Sequence, residues 1–300
     1  MNKLQELVTK VLQHWQFESI EILEQLHKNS PRLIFKLKAD GHFYILKGIP
    51  EAKTESTIIG NTMAHKYLGN EKGIAPCIFA TKDGSFYIQE EGFWFYLMEF
   101  ICGTPMENTI EAEFMLGQLV RQLHSYVDYH SPTGITQDKH RFYDWFADKE
   151  FKPEFDAILD MLPDFGGADR CLIHTDLGPH NVIVNTEGKA VFIDLDDAGI
   201  GCRYLDAGSA LTLRYAEHDD TMNMWYRFDF AMAFLQGYYG DAEITRSEYN
   251  WLWQGATYMF ISYMQCYGPE AVDSLWRILQ FALGQKEELW EFLLEVGQAS

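Results

Sequence analysis

One island of this chain combines features that few folds can satisfy together. Ile173-His174-Thr175-Asp176-Leu177-Gly178-Pro179-His180-Asn181 runs straight into Val182-Ile183-Val184, and Val191-Phe192-Ile193 then ends in Asp194-Leu195-Asp196-Asp197. The apolar runs read as short strands, Cys171 to Ile173, Val182 to Val184 and Val191 to Ile193, the last two joined by the turn Thr186-Glu187-Gly188. Such strands need burial, whereas the carboxylates and amide at their ends need water, donors or a cation. Both needs are met where strand ends reach an open edge, because a strand holds its backbone rigidly and the residue just past its end projects outwards. On that logic Asp176, Asn181 and Asp194 converge on one point from neighbouring turns. Two carboxylates and an amide oxygen suit Mg²⁺, which is commonly held by one or two carboxylates together with substrate phosphates. A nucleoside triphosphate is the expected cosubstrate.

The flanking sequence divides into two patterns. Met1 to Phe17 is amphipathic, with Leu4, Leu7, Val8, Val11 and Leu12 at helical spacing. Strand signals follow at Ile20 to Leu26, Arg32 to Lys38 and Phe43 to Ile49, the latter two across Ala39-Asp40-Gly41, and again at Cys77 to Thr81, Ser85 to Gln89 and Phe93 to Phe100. A helix over Thr54 to Leu68 interrupts them, and Gly103-Thr104-Pro105 reads as a break between lobes. Beyond it Glu113 to Tyr126 is helical, and helical spacing dominates from about Leu205 onwards. The expected fold is α+β in two lobes: residues 1–98 a small antiparallel sheet with one key helix, 99–104 a hinge, and 105–300 a larger, mainly helical lobe.

Composition narrows the function classes. With 24 Lys and Arg against 44 Asp and Glu, the net charge of -20 would repel a phosphate backbone, and no basic stripe offsets it, so nucleic acid is not an expected partner. The same field would favour a cationic substrate, although acidic surfaces serve solubility first. The five cysteines, Cys77, Cys102, Cys171, Cys202 and Cys266, form no CxxC pair and read as buried thiols of a reducing cytoplasm. No uninterrupted apolar stretch approaches eighteen residues, so neither a membrane span nor an exported protein is expected.

HxDxxxxN with an Asp thirteen residues after the Asn resembles the catalytic and metal-binding loops of kinases, and best those of the aminoglycoside phosphotransferase and choline kinase superfamily. That superfamily has a protein-kinase-like fold, and its metal strand ends in Ile-Asp-x-x-Asp, as Ile193-Asp194-Leu195-Asp196-Asp197 does here. The resemblance implies that Asp176 is the base orienting the acceptor hydroxyl, that Asn181 and Asp194 hold Mg²⁺, and that Asp196 is an extra metal or substrate contact. Asp206 in Tyr204-Leu205-Asp206 would brace the catalytic loop, and His174 would brace it too rather than act as acid or base. Tyr44-Ile45-Leu46-Lys47 resembles the strand whose Lys holds the α- and β-phosphates, with Glu55 as its expected partner and Glu51 as a competitor. Tyr96 to Ile101 resembles the hinge strand, so Glu99 and Ile101 would meet adenine through their main chain. The hairpin His27-Lys28-Asn29-Ser30-Pro31-Arg32 lacks a glycine-rich phosphate cover, which leaves Asn29 and Ser30 as phosphate contacts.

Taken alone, several of these residues read more plainly. Lys47 would be a solvated strand lysine were it not placed ahead of the helix and hinge patterns. Most C-terminal aromatics, among them Trp225, Tyr238, Trp253, Tyr258, Tyr263, Tyr267 and Trp276, serve helix packing, while a minority, with Glu217, Asp219, Asp220 or Asp229, would suit an amine. The expected activity is transfer of the γ-phosphate of ATP, with GTP left open, to a hydroxyl of a small molecule resembling an aminoglycoside, choline or homoserine. A Ser/Thr protein kinase of the stress response kinase A type is the alternative, made less apt by the short segment between Asp197 and Asp206. A non-catalytic nucleotide-binding scaffold on the same fold is a second. Sequence gives no oligomeric state.

Overall fold

The computed structural model describes residues 3–28, 30–130, 134–135, 137–167 and 169–300. The chain forms two compact units: one contains the residues up to Pro105 with His130 and Val182–Gly199, and the other contains Met106–Tyr129, Gly134–Asn181 and Ile200–Ser300. Among the described residues no helix is long and apolar enough to cross a membrane.

The first unit is built on an antiparallel sheet. After helix α1 (Lys3–Leu12) come β1 (Ile20–Leu26), β2 (Leu33–Ala39), β3 (His42–Pro50), helix α2 (Glu55–His65), β4 (Ile78–Phe79), β5 (Ile88–Glu90) and β6 (Phe93–Glu99). The strand order is β1-β2-β3-β6-β4, with β5 also on β6. Asp40 and Gly41 adopt φ of 48° and 85° in the β2–β3 turn, the left-handed geometry a two-residue hairpin requires. The two-residue period of a strand then sorts the sheet's faces. Leu46, Phe95 and Leu97 pack with Leu7, Val8, Val11 and Leu12 of α1. Ile45, Ile49, Trp94, Tyr96 and Met98 pack on the other face with Ile58 of α2. Lys47 falls between Ile45 and Ile49 on that second face, directly across from Tyr96.

Two sequence expectations change here. The helix over Thr54 to Leu68 keeps α-geometry only to His65 and widens into a π-turn over Lys66–Glu71. Gly69 lets this turn lie close against the following chain, since a Cβ there would stand 2.2 Å from the Pro76 carbonyl oxygen. Gly103-Thr104-Pro105 is not an unstructured break but strand β7 (Gly103–Pro105), paired with β9 (Val182–Asn185), which in turn pairs with β10 (Ala190–Phe192). The glycine permits that pairing, because a Cβ on Gly103 would meet the Val184 carbonyl oxygen at 2.2 Å.

The second unit is mainly helical: α3 (Ile110–His124), α4 (Lys152–Met161), β8 (Arg170–Ile173), β11 (Gly199–Cys202), α5 (Arg203–Leu213), β12 (Ala216–His218), β13 (Met224–Tyr226), α6 (Phe228–Tyr239), α7 (Arg246–Met264), α8 (Val272–Gly284) and α9 (Lys286–Glu295). Its buried aromatic core includes Trp253, Tyr249, Tyr258, Phe155 and Phe234. All five cysteines are free thiols, but only Cys171 and Cys202 are buried as expected: Cys77 is half-buried, and Cys102 and Cys266 are exposed. Both lie outside regular elements, Cys102 just before β7 and Cys266 just after α7, where no facing layer covers them.

Two helix pairs depend on glycine for their approach. In α5 against α7, a Cβ on Gly208 would meet the Leu252 carbonyl oxygen at 2.1 Å, and one on Gly255 the Tyr204 carbonyl oxygen at 2.0 Å. In the α3–α6 pair the same holds for Gly117 against Phe234 and Gly237 against Phe114. Alanine would gain about 1 kcal/mol of helix propensity, but the obstructing atoms are backbone and cannot rotate away. Gly255→Ala should therefore lower stability by about 1–3 kcal/mol, seen as a reduced midpoint in chemical or thermal denaturation. An unchanged midpoint would show that the helices can separate without loss.

Candidate active site

Each unit carries one constellation of the predicted residues. In the first, Lys47 is 2% exposed, a burial that a lysine tolerates only with anionic partners. Its Nζ lies 2.7 Å from Asp194 Oδ1 and 2.9 Å from Asp196 Oδ2. Tyr96, across the strand pair, donates its hydroxyl to Asp196 Oδ1 at 2.7 Å and so fixes the inner carboxylate. Asp196 is thus buried and anchors Lys47. Asp194 is the outward member: it follows β10, keeps a third of its side chain exposed and sits at φ 58°. A non-glycine residue held in that region carries local strain, a feature that gathers at functional sites.

Arg32 completes this group, with Nη1 3.0 Å from Asp194 Oδ2 and Nη2 3.3 Å from Asp196 Oδ2. It lies on the same sheet face as Lys47 by strand period, since Ile34 stands opposite Lys47. Glu55 is not the partner of Lys47. At the exposed start of α2, capped by Thr54, it accepts a hydrogen bond from the Tyr87 hydroxyl at 3.0 Å. Competitor Glu51 is bonded to Gln89 instead. The helix presents His65 inwards, fully buried, with its ring 5.7 Å from that of Tyr96. Burial first, and then the charge of Lys47, push the His65 pKa down to about 4, so the ring is neutral.

Of the other residues expected to meet nucleotide, Ser30 Oγ accepts from the Arg32 amide at 3.1 Å, and Asn29 lies outside the described residues. Glu99 closes β6 with its amide on the Cys77 carbonyl at 2.8 Å and its carboxylate 3.3 Å from the Cys77 amide; Ile101 comes just after the strand ends.

In the second unit the loop after β8 is held from below. Asp206, near the start of α5 and 1% exposed, accepts the amides of His174 at 2.6 Å and Thr175 at 2.7 Å. His124 of α3 lies 3.3 Å from the same carboxylate and is itself bonded to the Tyr238 hydroxyl of α6. This network offsets the strain of Thr175, whose φ is 72°. Asp176, next in the chain, is half exposed. A turn from Gly178 to Asn181 brings the Asn181 Nδ2 2.9 Å from both the main-chain oxygen and Oδ2 of Asp176. The amide oxygen of Asn181 remains as an acceptor suited to a hard cation. His180, then Asn181, hold the Asp176 carboxyl below its ordinary range, against the opposing effect of partial burial, so it stays ionised at neutral pH.

Among the described residues no group of three or more His, Cys, Asp and Glu side chains could hold a metal by itself. The oxygen donors present suit Mg²⁺, which needs few protein ligands when substrate phosphates supply the rest. The cation contacts of Asp194 show that its carboxylate can take concentrated positive charge.

The family model of the phosphotransferase enzyme family matches residues 23–252, and the chain belongs to that family. It is a phosphotransferase with an alcohol group as acceptor. Its α+β fold is kinase-like. Similar solved structures include amicoumacin kinase hAmiN in complex with AMP-PNP, Ca²⁺ and Ami, at 16% identity, covering 96% of this chain and 94% of that one, TM-score 0.65. A microcompartment-associated aminopropanol kinase gives 17% identity, 98% and 99% coverage and TM-score 0.64. Choline kinase LicA from Streptococcus pneumoniae gives 15%, 94% and 98%, and 0.56.

Sequence reasoning missed Arg32, Tyr96 as an anchor, and His65. Arg32 had a usable signal, a cation opening a strand on the Lys47 face; His65 had none beyond its place in a helix.

The neutral His65 sets a pH dependence of stability. Above about 6.5, its ordinary value, folded and unfolded states are both unprotonated; below it the unfolded chain takes up a proton that the folded protein refuses until about pH 4. Stability is therefore full above 6.5 and lost as pH falls to 4, by roughly 3 kcal/mol from this group. Denaturation midpoints measured across that window should fall less steeply in His65→Gln than in the wild type.

Proposed function

We propose that the protein transfers the γ-phosphoryl group of ATP, bound with Mg²⁺, to a hydroxyl of a small molecule. The observation that carries this reading is the outward carboxylate of Asp194, left-handed in backbone and flanked by buried Lys47. Lys47, a point charge on a long stem, suits the α- and β-phosphates. Asp194 and the amide oxygen of Asn181 are the residues that would hold Mg²⁺, which when bound would neutralise the charge developing on the phosphoryl oxygens. The main chain at Glu99 and Ile101 is assigned to adenine. Asp176 orients the acceptor hydroxyl and takes its proton. A carboxylate with a lowered pKa is a weak base, but phosphoryl transfer has a loose transition state in which alignment matters more than early deprotonation.

A small acceptor is supported by the likeness to kinases of amicoumacin, aminopropanol and choline. It is supported also by a cavity of about 330 Å³ in the second unit that includes Asp176, His180, Arg214, Phe260, Tyr263 and Tyr267. Glu217, Asp219, Asp220 and Asp229 do not line it, and Asp176 is the one acidic residue that does among the described residues. A cationic acceptor would thus be met by aromatic faces more than by carboxylates.

Purified protein should consume ATP with Mg²⁺ and one member of a panel of aminoglycosides, aminopropanol, choline, ethanolamine and homoserine. Asp176→Asn should reduce turnover by about 10²–10⁴-fold while binding nucleotide as the wild type does. Phosphorylation of a generic protein substrate instead would favour the protein-kinase reading, and nucleotide binding without any transfer would favour a scaffold.

A further inference from the structure

We propose that Arg32 is a phosphate-binding residue of the nucleotide site, resting on Asp194 when nucleotide is absent and passing its guanidinium to the triphosphate oxygens when nucleotide binds. This rests on the ATP-dependent reading above. The hairpin before β2 has no glycine-rich segment whose amides could cover phosphates, and Ser30 spends its hydroxyl oxygen on the Arg32 amide. That bond, with the Ser30 amide on the His27 carbonyl at 2.9 Å, fixes the chain where Arg32 leaves it. The hairpin thus offers a side chain in place of backbone donors.

Charge and burial say which way Arg32 can move. Two cations face two carboxylates, and the inner pair, Lys47 and Asp196, has side chains only 3% exposed. The outer pair, Arg32 and Asp194, is 30% and 32% exposed. The inner pair is locked by Tyr96, whereas Arg32 can leave by giving up its partly solvated contact with Asp194 and its longer, 3.3 Å contact with Asp196, whose charge Lys47 still answers. A divalent cation on Asp194 would compete with the guanidinium for the same oxygen and repel it. A triphosphate arriving with that cation supplies paired anionic oxygens that match the planar guanidinium fork. Metal and nucleotide should therefore bind together, while metal alone has to displace Arg32 without a new partner for it.

The test compares full-length wild type, Arg32→Ala and Arg32→Lys by calorimetry with Mg²⁺·AMP-PNP, with adenosine, and with Mn²⁺ alone. Arg32→Ala should bind Mg²⁺·AMP-PNP about tenfold to hundredfold more weakly, keep its affinity for adenosine, and bind Mn²⁺ alone more tightly. Arg32→Lys should fall between, since it keeps charge but not the fork. Unchanged AMP-PNP affinity in Arg32→Ala would overturn the proposal, as would an equal loss for adenosine, which marks a merely structural role. A wild type that takes up neither AMP-PNP nor adenosine would instead sink the ATP-dependent reading, and this proposal with it.

Discussion

A lysine with 2% exposure in the middle of a sheet has to be answered by carboxylates, and much of the first unit follows from that need. Lys47 lies on β3 among apolar neighbours, so its charge cannot reach water along the sheet face. Asp196 answers it from the segment after β10, and Tyr96 on the adjacent strand satisfies the oxygen of Asp196 that the lysine does not take. With the inner pair closed, Asp194 has one oxygen on Lys47 and the other on the partly exposed guanidinium of Arg32. The buried pair costs desolvation. In exchange it fixes the position of a partly exposed carboxylate two residues away.

The second unit solves a similar problem with one buried anion and backbone donors. Two consecutive amides of the loop after β8 and the ring of His124 surround Asp206. Those bonds hold Thr175 in an unfavourable φ and so set where Asp176 begins. The helices carrying this support, α3, α5, α6 and α7, approach each other through glycines, so the brace depends on packing well away from Asp176.

His65 occupies the inward position on α2 where the sequence reading looked to a carboxylate from the same helix. Because Asp194 and Asp196 already satisfy Lys47, a further anion there would add buried negative charge without a cation to match it. A neutral imidazole fills the volume against Tyr96 without that cost.

The sequence by itself determined most of the elements and the candidates for the site. Strand period, the Asp40-Gly41 turn and the acids at strand ends are local properties, so the sheet, the island and the candidates Asp176, Asn181, Asp194 and Asp206 could be read directly. Family membership followed from the same residues and their spacing. Pairing was not legible, because it depends on which side chains share a face once strands are in register. Glu55 and Glu51 were plausible partners for Lys47 by proximity in the chain, yet Asp196, 149 residues away, takes that place. The strand at Gly103 was hidden for the same reason, since its partner lies some eighty residues on and only contact reveals that a glycine there meets a backbone oxygen. Burial decided the rest: Asp194 and Asp196 are chemically alike and two positions apart, and tertiary structure alone leaves one partly exposed and encloses the other.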